Sequence, residues 1–296
     1  MPSTSPIADT AAGGPAGVLY VVATPIGNLE DITLRALKIL KTVGLIAAED
    51  TRHSGRLLRH YDIKRPLQAY HEHNEARITP QIVQSLQAGC SVALVSDAGT
   101  PCISDPGYRL VRAAAQAGIE VVPIPGVSAA VTALSASGLP TDGFVFAGFL
   151  PKKGGRRKAA LEVLTKEPRT LIFYESPKRI ERLVADLNAA LGDRPAVLAR
   201  ELSKLNEEFL RGPLSTVAQA LAERDTIKGE CTLLVAGGGE ALDEDQWPAA
   251  RRALRQGLAS QEQPLAELVR QVAEQSGIAR NKIYAEALRI KQEIEK

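Results

Sequence analysis

Arg52, Arg56 and Arg59 stand at i, i+4 and i+7, a spacing that puts three guanidinium groups on one face of a helix. With Lys64 and Arg65 nearby, such a face could grip phosphates or could simply be solvated. A second basic cluster, PKKGGRRK (Pro151–Lys158), crowds Lys152, Lys153, Arg156, Arg157 and Lys158 beside two glycines. Mutual repulsion and the glycines predict a mobile loop suited to a phosphate backbone, with an ordinary surface loop as the alternative. His71 and His73 form an H-x-H pair, but no third ligand accompanies them and no metal is assigned. Aromatic residues are 4% of the chain, too few for a broad base-stacking platform.

Small-ligand chemistry centres on turns. No G-x-G-x-x-G follows the first apolar run and no G-x-x-x-x-G-K-[ST] occurs, so dinucleotide and P-loop readings fail. The first turn, PIGN, offers one glycine and suits a ligand with no pyrophosphate, such as S-adenosylmethionine. Asp97 in SDAG could accept hydrogen bonds from a hydroxyl or ammonium. On these residues alone, many small ligands would serve.

The elements that must hold these turns alternate. Apolar runs at 18–23, 45–48, 91–96, 120–123, 144–147, 170–174, 197–199 and 231–236 read as strands. Amphipathic segments lie between them, carrying for example Leu34, Leu37 and Leu40, or Leu183, Leu187 and Leu191. That alternation predicts α/β layers with mostly parallel strands buried on both faces, and ligand loops at their carboxyl ends. Four strand ends run into Gly/Pro-rich turns, which suggests one shared crevice.

The expected organisation is a flexible tail over 1–16, an α/β domain over 17–125, a second over 126–239, and a helical module over 247–296. The tail carries no Lys, no Arg and no apolar core, so it does not read as a signal peptide. The module shows apolar stripes at Leu265, Leu268, Val269 and Val272, then at Ile283, Ala287 and Ile290, with Ser276-Gly277 as the turn of a helix-turn-helix-like pair. The longest apolar runs fall short of the roughly 20 residues of a membrane span. Cys90, Cys102 and Cys231 are odd in number and widely spaced, which points to a reducing, cytoplasmic setting. A net charge of +2 means that any basic surface is local.

Eight ordered blocks carry a resemblance. They are TPIGNLEDIT, AAEDTRHSGRLL, LVSDAGTPCISDPGYRLV, PIPGVSAAVTALSASGLP, GFLP, LIFYESPKRI, ARELSKLNEEFLRG and KGECTLLV, spread from Thr24 to Val235. The series resembles the ribosomal RNA small-subunit methyltransferase I family, a branch of the tetrapyrrole-methylase-like (class III) methyltransferases. The resemblance implies two α/β domains with S-adenosylmethionine in a cleft between them, and a homodimer. It also implies methylation of the ribose 2′-hydroxyl of a cytidine in the decoding centre of 16S ribosomal RNA, within the small ribosomal subunit. Carried onto this chain, the cofactor residues are Pro25, Gly27, Asp97, Ala98, Gly99, Ile103, Ser128, Ala129, Leu150 and Glu230. Val127 departs from the family pattern, in which proline is common. Methylases of this fold that act on small tetrapyrroles carry a glycine-richer first loop and a G-D-P third loop, unlike TPIGN and SDAG here.

Methyl transfer from a sulfonium needs in-line geometry first. A ribose hydroxyl is nevertheless a poor nucleophile, and a base or an orienting cation would help it. The candidates are Glu49 and Arg52 in EDTR with Asp50 between them, Glu175 and Lys178 in YESPK, and Glu201 beside Arg200. A structural ion-pair network is the alternative for each, and no unique base is assigned. Arg56, Arg59, Lys152, Lys153, Arg156, Arg157 and Lys158 are the expected RNA contacts.

Overall fold

A computed structural model describes residues 16–152, 154–238, 240–260, 264–276, 278 and 280–294. The expected tail, Lys153 and the Gly277 turn lie outside the described residues in whole or in their key position.

The chain divides into two compact units, one running to Ala133 and including Glu201–Glu208, the other made of Leu134–Arg200 and the chain from Phe209 on. The break falls beyond the expected 125. The segment after Ile124 is anchored in the first unit, because the Thr100 hydroxyl donates to the Val127 carbonyl at 3.1 Å.

The first unit runs β1 (Leu19–Val22), α1 (Leu34–Thr42), β2 (Leu45–Ala48), α2 (Thr51–His60), β3 (Leu67–Ala69), α3 (Glu75–Gln87), β4 (Val92–Val95), α4 (Tyr108–Gln116), β5 (Val121–Ile124) and α5 (Ala129–Ser135). Its sheet has the order β3-β2-β4-β1-β5, and every pairing is parallel. β4 is buried along its whole length, as a parallel strand covered by helices on both faces must be. One apolar cluster holds Leu40, Ile46 and Leu58, another Ile82, Leu94 and Leu110. Thr33 caps α1 by accepting from the Ala36 N–H at 3.1 Å, and Asp50 caps α2 by accepting from the Arg52 N–H at 2.8 Å. The order reverses around β4 and β1, so their carboxyl-end loops border a crevice.

The second unit runs β6 (Phe144–Gly148), α6 (Gly154–Leu164), β7 (Thr170–Glu175), α7 (Ile180–Leu191), β8 (Pro195–Arg200), β9 (Glu208–Pro213), α8 (Leu214–Ala222) and β10 (Cys231–Val235). Its sheet has the order β6-β7-β10-β8-β9, with β6 and β7 parallel and β10 antiparallel to both β7 and β8. The sheet is therefore mixed, where mostly parallel strands were expected. A run buried on both faces, such as CTLLV, reads the same in either direction, so its pattern could not set its polarity.

Three helices follow: α9 (Glu240–Ser260), α10 (Leu265–Ser276) and α11 (Arg280–Ile294). The two expected stripes share a cluster with Ala250 and Leu254 of α9, a helix that starts ahead of the expected module, between 239 and 247. Leu268 packs so closely on α9 that a Cβ on Gly257 would lie 2.3 Å from it.

The loop before α4 is tightly turned. Cys102 and Ser104 have φ of 71° and 67°, and Gly107 has φ of 139°. A Cβ on Gly107 would come within 2.7 Å of the Cys102 Sγ and 2.8 Å of a Leu94 methyl. Gly107→Ala is expected to cost about 1–3 kcal/mol through crowding and backbone strain. A urea midpoint equal to that of the parent would show that the loop repacks freely.

Candidate functional site

The loops leaving β1 and β4 are joined. Thr24 and Gly99 exchange two backbone hydrogen bonds, 2.9 and 3.0 Å, and the buried Thr24 hydroxyl donates to the Ser96 carbonyl at 3.2 Å. Gly99, with φ of 76°, makes the turn that allows this. Where the β5 loop passes, a Cβ on Gly126 would sit 2.7 Å from that of Ala23, so only glycine lets the backbones meet.

Gly27 is spoken for within its own unit. A Cβ there would lie 2.4 Å from Lys204 and 2.8 Å from the Ser203 hydroxyl, and the Asn28 N–H donates to that hydroxyl at 3.0 Å. The segment doing this, Glu201–Glu208, is itself kinked, with φ of 53° at Glu201 and 62° at Ser203. Glu201 accepts from the Lys204 ammonium at 2.9 Å.

Carboxylates gather at the ends of β2 and β4. Asp97 accepts from the Asp50 N–H at 3.0 Å, and its own N–H donates to Glu49 at 3.5 Å. Burial, and then the Asp97 charge, push the Glu49 carboxyl above its ordinary range. Asp105 is pushed up to about 7 by burial, with Glu49 and Asp97 adding to the shift and a Ser96 hydrogen bond opposing it. Burial and Asp105 together raise the Cys102 thiol to about 11, which leaves it protonated and inert. Asp50 behaves oppositely: hydrogen bonds from Arg52 hold it far below the carboxylate range. Glu49 and Asp105 line a cavity of about 530 Å3 with Glu72, Glu75, Tyr108 and Arg109.

His71 approaches this region, with its ring 6.1 Å from that of His73, and its Nδ1 is buried with no hydrogen-bond partner. Among the described residues, no three His, Cys, Asp or Glu side chains are grouped to hold a metal ion.

Of the sequence candidates, Pro25, Gly27, Asp97, Ala98, Gly99, Ser128 and Ala129 lie on these linked loops of the first unit. Ile103 is 45% exposed on the strained loop. Leu150 is buried and Glu230 exposed, both in the second unit. Arg52 is exposed and paired with Asp50 at 2.9 Å, while Arg56 and Arg59 are exposed on α2. Arg65, expected to hold phosphate, instead donates to the Lys41 carbonyl at 2.8 Å.

PKKGGRRK departs from the loop expectation, because it turns helical at Gly154. Arg157 is not the freely exposed cation that a mobile loop would present: it is buried, and it donates to Asp186 at 2.7 Å and to the Pro151 carbonyl at 3.1 Å. Its removal would strand a carboxylate, so these contacts fix the guanidinium in place. Lys152, Arg156 and Lys158 are exposed, the last 3.9 Å from Glu162. Glu175 is buried against Arg179, and Lys178 is exposed. Asp105 and Ser96 were missed. The SDPG after SDAGTPCI was the signal for Asp105, and Ser96 opens SDAG itself.

Residues 18–218 match the family model described as Tetrapyrrole (Corrin/Porphyrin) Methylases. The chain belongs to the tetrapyrrole methylase family. Within this family, it is 50% identical over 276 residues to a Pseudomonas aeruginosa protein named ribosomal RNA small subunit methyltransferase I, covering 92% of this chain and 97% of that one. A Micromonospora olivasterospora protein of the same name is 49% identical over 272 residues, covering 90% and 85%. Among tetrapyrrole methylases of known structure, the uroporphyrin-III-C-methyltransferase of Thermus thermophilus matches with a TM-score of 0.55 at 24% identity, covering 74% of this chain and 94% of that one. A structure of a Thermus thermophilus uroporphyrin-III C-methyltransferase complexed with S-adenosyl homocysteine matches at 0.53 and 21%, covering 74% and 97%. At these identities the structural likeness establishes the fold.

The raised Asp105 carboxyl has a consequence for stability. Its folded pKa of about 7 exceeds the ordinary 3.8, so the folded protein holds this proton more tightly and the ionised form costs stability. The cost is absent below the ordinary value, grows as pH rises, and is complete above about 7. Asp105→Asn should therefore raise the melting temperature at pH 8 and make little difference at pH 4. A difference that does not grow with pH, followed by circular dichroism, would contradict the assignment.

Proposed function

We propose that this protein transfers the methyl group of S-adenosylmethionine to the ribose 2′-hydroxyl of a cytidine in the decoding centre of 16S ribosomal RNA. The observation that carries the reading is the 50% identity to a ribosomal RNA small subunit methyltransferase I, kept over nine-tenths of the chain. The reading includes a homodimer acting on the small ribosomal subunit in the cytoplasm. No helix among the described residues is long and apolar enough to cross a membrane.

The first-unit loops fit the donor. Glycine at 126 and the turn at Gly99 give close backbone approach, and Asp97, Glu49 and Asp105 provide negative charge for a ligand that bears ammonium and sulfonium groups. Pro25, Asp97, Ala98, Gly99, Ser128 and Ala129 would hold it. When bound, it supplies an electrophilic methyl for in-line displacement. Asp105, pushed up to about 7, is suited to accept the hydroxyl proton near neutral pH, and Glu49, raised by burial and by Asp97, stands beside it as a second candidate. Arg56 and Arg59 on α2, and Lys152, Arg156 and Lys158 around the start of α6, are exposed cations for RNA phosphates.

Labelled S-adenosylmethionine offered with naked 16S RNA, 30S particles, 70S ribosomes and, separately, a porphyrinoid, followed by mapping of the modified nucleotide, tests the reaction. Label on a ribose of the decoding centre is expected, and label only on a porphyrinoid would overturn the reading. Asp97→Ala should lower cofactor affinity ten- to a hundredfold, about 1.5–3 kcal/mol, by removing charge-assisted hydrogen bonds. Calorimetry giving parental affinity in a folded variant would take Asp97 out of the site.

A further inference from the structure

The second unit holds a cavity of about 460 Å3 at the carboxyl end of β7, lined by Lys152, Arg157, Lys178, Arg179 and Arg182 with Glu175 and Ser176. Five cations around one hollow repel each other unless something offsets them. Two carboxylates are within reach, and both are committed to arginines. Glu175, its side chain 1% exposed, accepts from Arg179 at 2.5 Å, and Asp186 accepts from Arg157 at 2.7 Å with Arg182 at 3.8 Å. Arg179 is further fixed by donating to the Ser176 hydroxyl at 3.1 Å, and Arg157 by the Pro151 carbonyl at 3.1 Å. These contacts set the two guanidinium groups as a rigid floor. Lys152 and Lys178 are exposed and form no ion pair among the described residues, and the Arg182 side chain is 61% exposed. The wall is therefore positive in excess, with its inner cations fixed and its outer ones free to reach in. Helix α7 begins beside it at Ile180 with no side-chain cap on its first turn, which adds the positive end of a helix dipole.

We propose that this hollow seats one phosphodiester group of the RNA substrate, gripped from below by Arg157 and Arg179 and from the rim by Lys178, Lys152 and Arg182. The inference rests on the RNA reading above, which it deepens by naming a phosphate subsite. A phosphodiester presents several acceptor oxygens to cations on different sides, whereas a carboxylate offers only two, in one plane. The exposed rim leaves room for the chain to enter and leave on either side of the seated group.

The test uses the full chain and the double variant Lys178→Gln/Arg182→Gln, which leaves the buried ion pairs in place. Because Lys178 is also a candidate for catalysis, the readouts are of binding. Orthophosphate, titrated against chloride at equal ionic strength and followed by phosphorus NMR line width, should bind the parent saturably and the variant weakly or not at all. Association with 30S particles should weaken about tenfold in the variant, and the slope of log K against log salt should fall by about one. S-adenosylmethionine affinity should be unchanged, and Lys178→Arg/Arg182→Lys should restore both phosphate and 30S binding. Equal phosphate binding by parent and variant would overturn the subsite. Loss of phosphate binding with an unchanged salt slope would overturn RNA as its occupant, leaving a site for a free phosphate. A parent that shows both binding effects but methylates no RNA would count against the methylation reading and for the subsite.

Discussion

Thr24 and Gly99 face each other across the loops that leave β1 and β4, each donating its N–H to the other's carbonyl. Around this bridge the rest of the first unit's candidate site is arranged. The Thr24 hydroxyl reaches the Ser96 carbonyl, the Ser96 hydroxyl folds back on the carbonyls of Ala98 and Gly99, and Thr100 carries the tie onward to Val127 after β5. Three loops that would each be floppy alone thus become one surface. Ordering them costs backbone entropy of about 1–2 kcal/mol per residue, and the cost is met in the fold rather than at the moment of binding.

That rigidity explains how the protein tolerates Glu49, Asp97 and Asp105 so close together. Like charges in a half-buried place repel, as the raised Glu49 and Asp105 carboxyls show, and would spread apart if the backbone allowed it. Here they are held by the β2 and β4 ends and by the hydrogen bond from the Asp50 N–H to Asp97. Strained residues cluster in the same unit, at Cys102 and Ser104 and at Glu201 and Ser203. Stability spent in this way is characteristic of places where a ligand supplies the missing compensation.

Much of this was legible in the residues. The apolar runs marked eight of the strands, and the Gly/Pro turns marked the loops that the sheet order brings together. What escaped had physical reasons. β3 is three residues long, and β9 mixes Glu, Arg, Gly and Pro, so neither carries a periodic signal. PKKGGRRK reads as a loop by composition, yet Arg157 finds a carboxylate 29 residues on, a pairing that only the packing of α6 near α7 creates. Gly27 offers the reverse lesson. A glycine in a candidate ligand loop invites a ligand explanation, but Ser203 and Lys204 already exclude any side chain there.

Each unit gathers an excess of one sign of charge at the carboxyl end of a strand. In the first, acids follow β2 and β4; in the second, Lys178, Arg179 and Arg182 follow β7. Neither cluster is visible in a net charge of +2, which balances 36 basic against 34 acidic residues over the whole chain and so says little about partners. The proposed reaction joins a donor with a sulfonium to an acceptor that is a polyanion. Neither could be drawn in by a uniformly charged surface without repelling the other. Under the proposed reading, local fields of opposite sign, each fixed by its own hydrogen bonds, let one nearly neutral chain receive both. They also make RNA association the salt-sensitive half of the reaction, since its phosphates release counterions and the donor brings none to release.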